Sequence, residues 1–206
     1  MKNTLNFLIE VGKLKKMPRR GWILRGMKNP ETIAAHTFRM VLMAWLLGKQ
    51  KKLNVSKILK MSLIHDLCEV YAGDTTPHDN FFLKNKKKFK KITLKWPRLS
   101  KRDKEKIFRE KYEKECKSLK KLILKLPLDF KKEIKDLWMD YEKGLTREGK
   151  FVRQLDRVES LLQAMEYLRE NKNFSIESFW VQVEELVDDP ILLEFINSLE
   201  KRFHRK

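Results

Sequence analysis

Apolar side chains recur at the period of an α-helix along most of this chain, and that spacing confines it to an all-α fold. Phe38, Val41, Leu42, Trp45 and Leu46 stand at i, i+3, i+4, i+7 and i+8, which gathers them on one face of a helix, read here as the face turned to the core. Ile58, Leu59, Leu63 and Leu67 mark the apolar side of a second helix, expected from about Val55 to Tyr71 with Gly73 placed to end it. Phe108, Tyr112, Leu119, Ile123 and Leu126 indicate a long helix. Further helices are expected over Leu128 to Tyr141, over Phe151 to Leu168, and as a final pair around Phe179 and Leu192. Only 7 glycines and 6 prolines interrupt 206 residues, so little opposes helix formation. A single bundle-like domain over 1–206, with its core at about 19–170, is the expectation.

Near the N-terminus, Leu5, Leu8, Ile9 and Leu14 fit a first short helix over Asn3 to Leu14 that runs into the basic stretch Lys15 to Arg20. MPRRGWILRGMKNP carries two prolines and two glycines and should be irregular, with Trp22 as its bulkiest apolar anchor. Asn29-Pro30-Glu31 reads as a helix start: a capping residue, a proline whose missing N–H does no harm, and an acid facing the helix dipole. His36 then falls in the second turn, and Trp22 and Trp45 both read as packing residues.

The longest apolar run, Met40 to Leu47, is far short of the roughly 18 residues a membrane span needs, and the N-terminus lacks a signal-peptide pattern. A soluble, cytoplasmic protein with no membrane partner is expected. Cys68 and Cys116 lie 48 positions apart with no CxxC spacing, so neither a disulfide framework nor a zinc knuckle is indicated. The net charge is +19, and from Lys84 to Lys106 twelve residues are Lys or Arg, opposed only by Asp103 and Glu105. Such a segment is either a solvated, mobile face or a nucleic-acid patch. Only Phe89 and Trp96 interleave it as stacking aromatics, which gives nucleic acid weak support.

The pair His65-Asp66 lies in SLIHDLCEVYAGD, an apolar helical stretch where polar groups are costly unless paired or bound to metal. Neighbouring helix residues diverge by about 100°, so both can bind one metal only if it lies against the helix flank between them. Other helices must then close the site. His36, ending ETIAAH, and Asp156, in QLDRVESLL, are suitable donors. Two imidazoles and two carboxylates suit a divalent transition metal with coordination positions left open. Asp156 has an ordinary alternative, pairing with Arg153 or Arg157. Glu69 follows Asp66 by three and His65 by four, sharing their helix face, and is a candidate general acid/base. Asp74, one turn beyond the helix end, is placed to hydrogen-bond a sugar hydroxyl or a water. His78 and His204, in a basic loop and tail, receive no role.

The order H…HD…D, as His36, His65-Asp66 and Asp156, resembles the HD-domain metal-dependent phosphohydrolase superfamily. NPETIAAHTFRM, LIHDLCEVYAGDTTPHDN, LWMDYE and KFVRQLDRVESLLQAMEY resemble its 5′-deoxynucleotidase branch, and these segments cover most of the chain from Arg19 to Tyr167. The resemblance implies hydrolysis of deoxyribonucleoside 5′-monophosphates to nucleoside and phosphate, and usually a homodimer. It also implies a divalent cation (Mn²⁺, Co²⁺ or Mg²⁺) held at His36, His65, Asp66 and Asp156, with Glu69 assisting proton transfer. Asp74 and the loop Thr75, Thr76, Pro77 are implied substrate contacts, and Trp22 matches a tryptophan that crowds the sugar edge and disfavours ribose. Bacterial relatives place an arginine directly before that tryptophan; here Gly21 precedes Trp22, so Arg19, Arg20 or Arg25 has to supply the phosphate-orienting charge. The alternatives are an HD phosphohydrolase acting on a triphosphate, cyclic or modified nucleotide, and a basic nucleic-acid-binding module on an HD scaffold.

Overall fold

The computed structural model describes residues 1–77, 79 and 99–204. Expectations that rest on His78, Phe89, Trp96-Pro97 and the basic run as far as Arg98 lie outside the described residues, as does the side chain of His204. The described chain is helical, its one β-contact being an isolated bridge between Pro18 and Thr32. No described helix is long and apolar enough to cross a membrane. By its internal contacts the chain divides into two compact units, residues 1–35 with 66–132, and 36–65 with 133–206.

In the first unit, α1 (Lys2–Val11) leads into a 3₁₀ turn (Gly12–Lys16), as expected from its leucines. The segment expected to be irregular contains one helical turn, α2 (Arg20–Ile23). Two backbone bonds beside the Pro18–Thr32 bridge close this loop at its base: Arg19 N donates to Glu31 O at 2.9 Å and Ile33 N to Met17 O at 2.9 Å. Because Glu31 and Ile33 are spent on that pairing, helix α3 (Ile33–Gln50) starts later than the Asn29-Pro30-Glu31 signal predicts. Thr32 Oγ1 takes over as its cap, accepting from Ala35 N at 3.2 Å. Trp22 is the anchor the sequence indicates, buried, with its indole N–H donating to Glu31 Oε1 at 2.8 Å. The short α5 (Glu69–Ala72) packs on the long α6 (Lys101–Ile123), where Ser118 donates its hydroxyl proton to the Cys68 carbonyl. Gly73, at φ +73°, ends α5 in the left-handed region open to glycine.

The second unit is built around α8 (Arg147–Glu170), with α4 (Val55–Ile64), α9 (Glu177–Leu186) and α10 (Pro190–His204) packed against it. The unit also holds α3 from His36 onward and most of α7 (Leu128–Lys143). Phe151, Val152, Leu155, Val158, Leu161, Ala164 and Met165 are all enclosed, so α8 is surrounded rather than half-exposed.

Two expectations fail here. The stripe on α3 faces outward: Phe38 is 69%, Trp45 50% and Leu46 60% exposed, so Trp45 is not a packing residue. The buried stripe is Ile33, His36, Met40, Met43 and Ala44. Helical period locates a face only when the opposite face is polar, and α3 is apolar nearly all round. Two residues of helix are about 200° of rotation, so turning His36 inward turns Phe38 out. The helix expected from Val55 to Tyr71 is broken into α4 and α5 at His65–Cys68. The imidazole of His65 engages the Ser62 carbonyl at 2.7 Å, competing for the acceptor that an uninterrupted helix gives to the amide of Asp66.

A polar knot fixes the start of α8. Asp140 accepts from Thr146 N at 2.9 Å and from the Thr146 hydroxyl at 2.6 Å, and pairs with Lys57 at 2.7 Å, while Thr146 Oγ1 caps the Gly149 amide at 3.2 Å. A Cβ on Gly149 would stand 2.6 Å from the Asp140 carbonyl oxygen and 2.1 Å from its carboxylate. Gly149→Ala is therefore expected to cost about 1–3 kcal/mol by overpacking, read as a lowered denaturation midpoint; an unchanged midpoint would show that the knot yields freely.

Candidate metal centre

Three helices of the second unit deliver donor atoms to one point. His36 comes from the second turn of α3, His65 from the end of α4, and Asp156 from the middle of α8, all of them buried. The Nε2 atoms of the two histidines lie 3.3 Å apart, and His36 Nε2 is 3.2 Å from Asp156 Oδ1. The opposite ring nitrogens settle which tautomers are present. His36 Nδ1 meets the Glu159 carboxylate and His65 Nδ1 meets the Ser62 carbonyl. Both partners can only accept, so each Nδ1 carries a proton, and in the neutral form of each ring the Nε2 lone pair is the one turned to the centre. In that form two lone pairs and a carboxylate oxygen converge, a donor set that could hold a cation. For bonds of about 2.1 Å, ligand atoms around a tetrahedral or octahedral metal are about 3.0–3.4 Å apart, which the observed 3.2 and 3.3 Å match.

The surroundings hold these groups in place. Tyr141 donates its phenolic proton to Asp156 Oδ2 at 3.1 Å, leaving Oδ1 turned toward His36, and its ring lies edge-on to His65 with centroids 5.3 Å apart. The alternative pairing of Asp156 with an arginine is also present, with Arg157 Nη1 3.6 Å from Oδ2. Tyr141 and Glu159 were not singled out from the sequence. Glu159 follows Asp156 by three, the spacing that puts both on one helix face, and Tyr141 lies in the LWMDYE segment.

The remaining candidates lie in the first unit. Asp66 Oδ2 takes a hydrogen bond from Arg19 Nη1 at 3.0 Å, both side chains being largely enclosed. Asp74 accepts from the Arg20 backbone N–H at 2.6 Å, while the Arg20 side chain pairs with Asp79 at 3.0 Å. Asp79 also receives the Thr76 amide at 3.1 Å, and Thr75 and Pro77 are half-buried beside it in the chain. Arg25 donates to the Gly21 carbonyl at 3.0 Å and so braces the turn that carries Trp22. Glu69 differs from all of these. It is buried, and its Oε2 has no hydrogen-bond partner. Burial first, then the negative charges of Asp66 and Asp74, push its carboxyl well above the ordinary carboxylate range, against the pull of Lys111 and Arg19. Lys111, from α6, is itself held by Glu115 at 3.4 Å.

Residues 11–190 match the family model of the HD domain, and the chain belongs to that family. A 5′-deoxynucleotidase HDDC2 from Bos taurus is 34% identical over 200 residues, spanning 97% of this chain and 85% of the bovine one. The Homo sapiens protein of the same name is 32% identical over 200 residues, with the same coverage of 97% and 85%. Among solved structures, a conserved hypothetical protein from Pyrococcus furiosus superposes with a TM-score of 0.68 at 28% identity, covering 96% of this chain and 99% of the other. The expected all-α HD fold is the one observed, and a divalent cation is the cofactor its donors suit.

Tyr141→Phe removes the donor that turns Asp156 and is expected to weaken cation binding by about tenfold, measured by titrating metal-free protein with Co²⁺. An unchanged affinity would mean that Asp156 is oriented without the phenol.

Proposed function

We propose that this chain is a divalent-metal-dependent 5′-deoxynucleotidase that hydrolyses deoxyribonucleoside 5′-monophosphates to deoxyribonucleoside and phosphate. The observation that carries the reading is the convergence of His36 Nε2, His65 Nε2 and Asp156 Oδ1. Its support in kind is the likeness to proteins named 5′-deoxynucleotidase. Asp66, bonded to His65 along the chain, is assigned as the fourth ligand, and the mixed nitrogen and oxygen donors favour Mn²⁺ or Co²⁺, with Mg²⁺ a weaker fit. When bound, the cation supplies charge neutralisation at a phosphoryl oxygen and lowers the pKa of a coordinated water.

The chain's own groups do the rest. Arg19, whose guanidinium already lies against Asp66, is assigned to the phosphate, where its planar fork matches two phosphoryl oxygens. Arg20 stands beside it, its side chain aligned by Asp79 and its amide by Asp74. Glu69 holds its proton more tightly than an ordinary carboxylic acid, because it is buried and because ionising it would place a third negative charge beside Asp66 and Asp74. A carboxyl in that state can hand its proton to the departing 5′-oxygen, which turns a poor leaving group into an alcohol. Trp22, fixed by Glu31, is assigned to crowd the 2′-position of the sugar, and Asp74, Thr75, Thr76 and Pro77 to line the nucleoside. Uncatalysed phosphate-monoester hydrolysis is among the slowest biological reactions, so a cation, an arginine and a proton donor acting together are physically warranted.

The partner assigned to the outward face of α3 is a second copy of the chain, in a cytoplasmic homodimer. Phe38, Val41, Leu42, Trp45 and Leu46 present no charge, and on a molecule of net charge +19 such a neutral apolar face lets two copies meet without like-charge repulsion. Leu46→Asp is expected to shift sedimentation from dimer to monomer; a wild-type protein that sediments as monomer refutes the assignment.

A panel of deoxy- and ribonucleoside mono-, di- and triphosphates and cyclic nucleotides, assayed with Mn²⁺, Co²⁺ or Mg²⁺, tests the activity. Phosphate released preferentially from the deoxy-monophosphates is expected, whereas pyrophosphate or no release overturns the reading. Glu69→Gln is expected to lower kcat by about 10²–10⁴-fold while metal content stays at the wild-type level; an unaltered rate removes Glu69 from the mechanism.

A further inference from the structure

One buried carboxylate beside the metal centre is given no task by this mechanism. Glu159 is fully enclosed on α8 and both of its oxygens are engaged: Oε2 with His36 Nδ1, and Oε1 with Arg39 Nε at 2.8 Å. Arg39 in turn reaches Gln163 Oε1 at 2.7 Å and Glu166 Oε2 at 2.6 Å, so its guanidinium is clamped along the same face of α8. The spacing is economical. His36 and Arg39 are three apart on α3, and Asp156, Glu159, Gln163 and Glu166 form one stripe on α8. Ligand and support therefore come from the same two helices.

We propose that Glu159, clamped by Arg39, is the positioning residue that fixes the tautomer and ring direction of His36 and so sets how tightly the centre holds its cation. The proposal rests on reading His36 as a metal ligand. A neutral imidazole has one lone pair, and the partner of the other nitrogen decides where it sits. With a carboxylate on Nδ1 the lone pair is on Nε2, the atom facing His65 Nε2 and Asp156 Oδ1, and the ring becomes a stronger electron donor. Arg39 places a guanidinium on the second oxygen of Glu159, which offsets the cost of burying a carboxylate. A plain ion pair joining α3 to α8 would need only the Arg39 contacts; the second oxygen on His36 is what such a staple leaves unused.

The chain has only 4 histidines, so protein labelled with ¹⁵N in its imidazoles gives a simple spectrum. In metal-free wild-type protein, His36 is expected to show a protonated Nδ1 and a bare Nε2, and in Glu159→Gln a mixture of the two tautomers. Cobalt titration of the same metal-free variant is expected to show affinity lowered about 10–100-fold, with kcat at saturating cobalt within about threefold of wild type. Glu159→Asp should recover part of the loss. Unchanged tautomer and affinity in Glu159→Gln overturn the proposal. Should that variant fail to fold, Arg39→Gln, at a partly exposed position, is expected to weaken cobalt binding in the same direction, and an unchanged affinity there overturns the clamp. A wild-type protein that takes up no cobalt refutes the metal reading instead, and the tautomer comparison still decides the role of Glu159.

Discussion

Everything around the centre answers one cost, that of burying two carboxylates in the apolar interior of α8. Asp156 is 5% exposed and Glu159 fully enclosed, among Leu155, Val158 and Leu161. An ionised carboxylate in such a place is tolerable only with donors or cations on its oxygens. The second unit supplies them from each neighbouring helix: His36 and Arg39 from α3, Tyr141 from α7. The inward rotation of α3 follows from that demand, and the outward apolar stripe follows from the rotation.

The first unit uses its charges differently. Asp66 pairs with Arg19 and Asp79 with Arg20, each carboxylate facing an adjacent guanidinium. Glu69 lies among the same acids with no hydrogen bond to its Oε2, and burial pushes its carboxyl well above the ordinary carboxylate range. One short stretch thus contains carboxyl groups in opposite settings, Asp66 against a guanidinium and Glu69 enclosed among other acids, and the difference lies in burial and neighbours rather than in residue type.

Much of this was legible in the sequence, for identifiable reasons. Helix positions were readable because Gly and Pro are scarce and apolar spacing is regular. His36, His65 and Asp156 were readable because each interrupts an apolar stretch, and Trp22 because it is the bulkiest apolar residue of its loop. The facing of α3 was not, since a helix apolar all round has no preferred side until a partner asks for His36. The break at His65 was hidden because its cause is a side-chain bond to the Ser62 carbonyl rather than a helix-breaking residue. The start of α3 slipped because Glu31 and Ile33 serve a long-range backbone pairing with Arg19 and Met17. Glu159, Tyr141 and Arg39 went unnoticed although two of them sit three residues from a proposed ligand; an acid, a phenol or an arginine in a charged chain gives no signal until its partner is known.

The knot at Thr146 has a geometric consequence for Asp156, ten residues further along. A helix turns about 100° and rises about 1.5 Å per residue, so pinning its first turn indexes every later side chain like teeth on a gear. Inserting or deleting one residue between Thr146 and Asp156 would swing the carboxylate through more than a quarter turn and aim it at hydrocarbon. Length in this molecule is therefore constrained by angle: the chain can vary where it bends and must count where it winds.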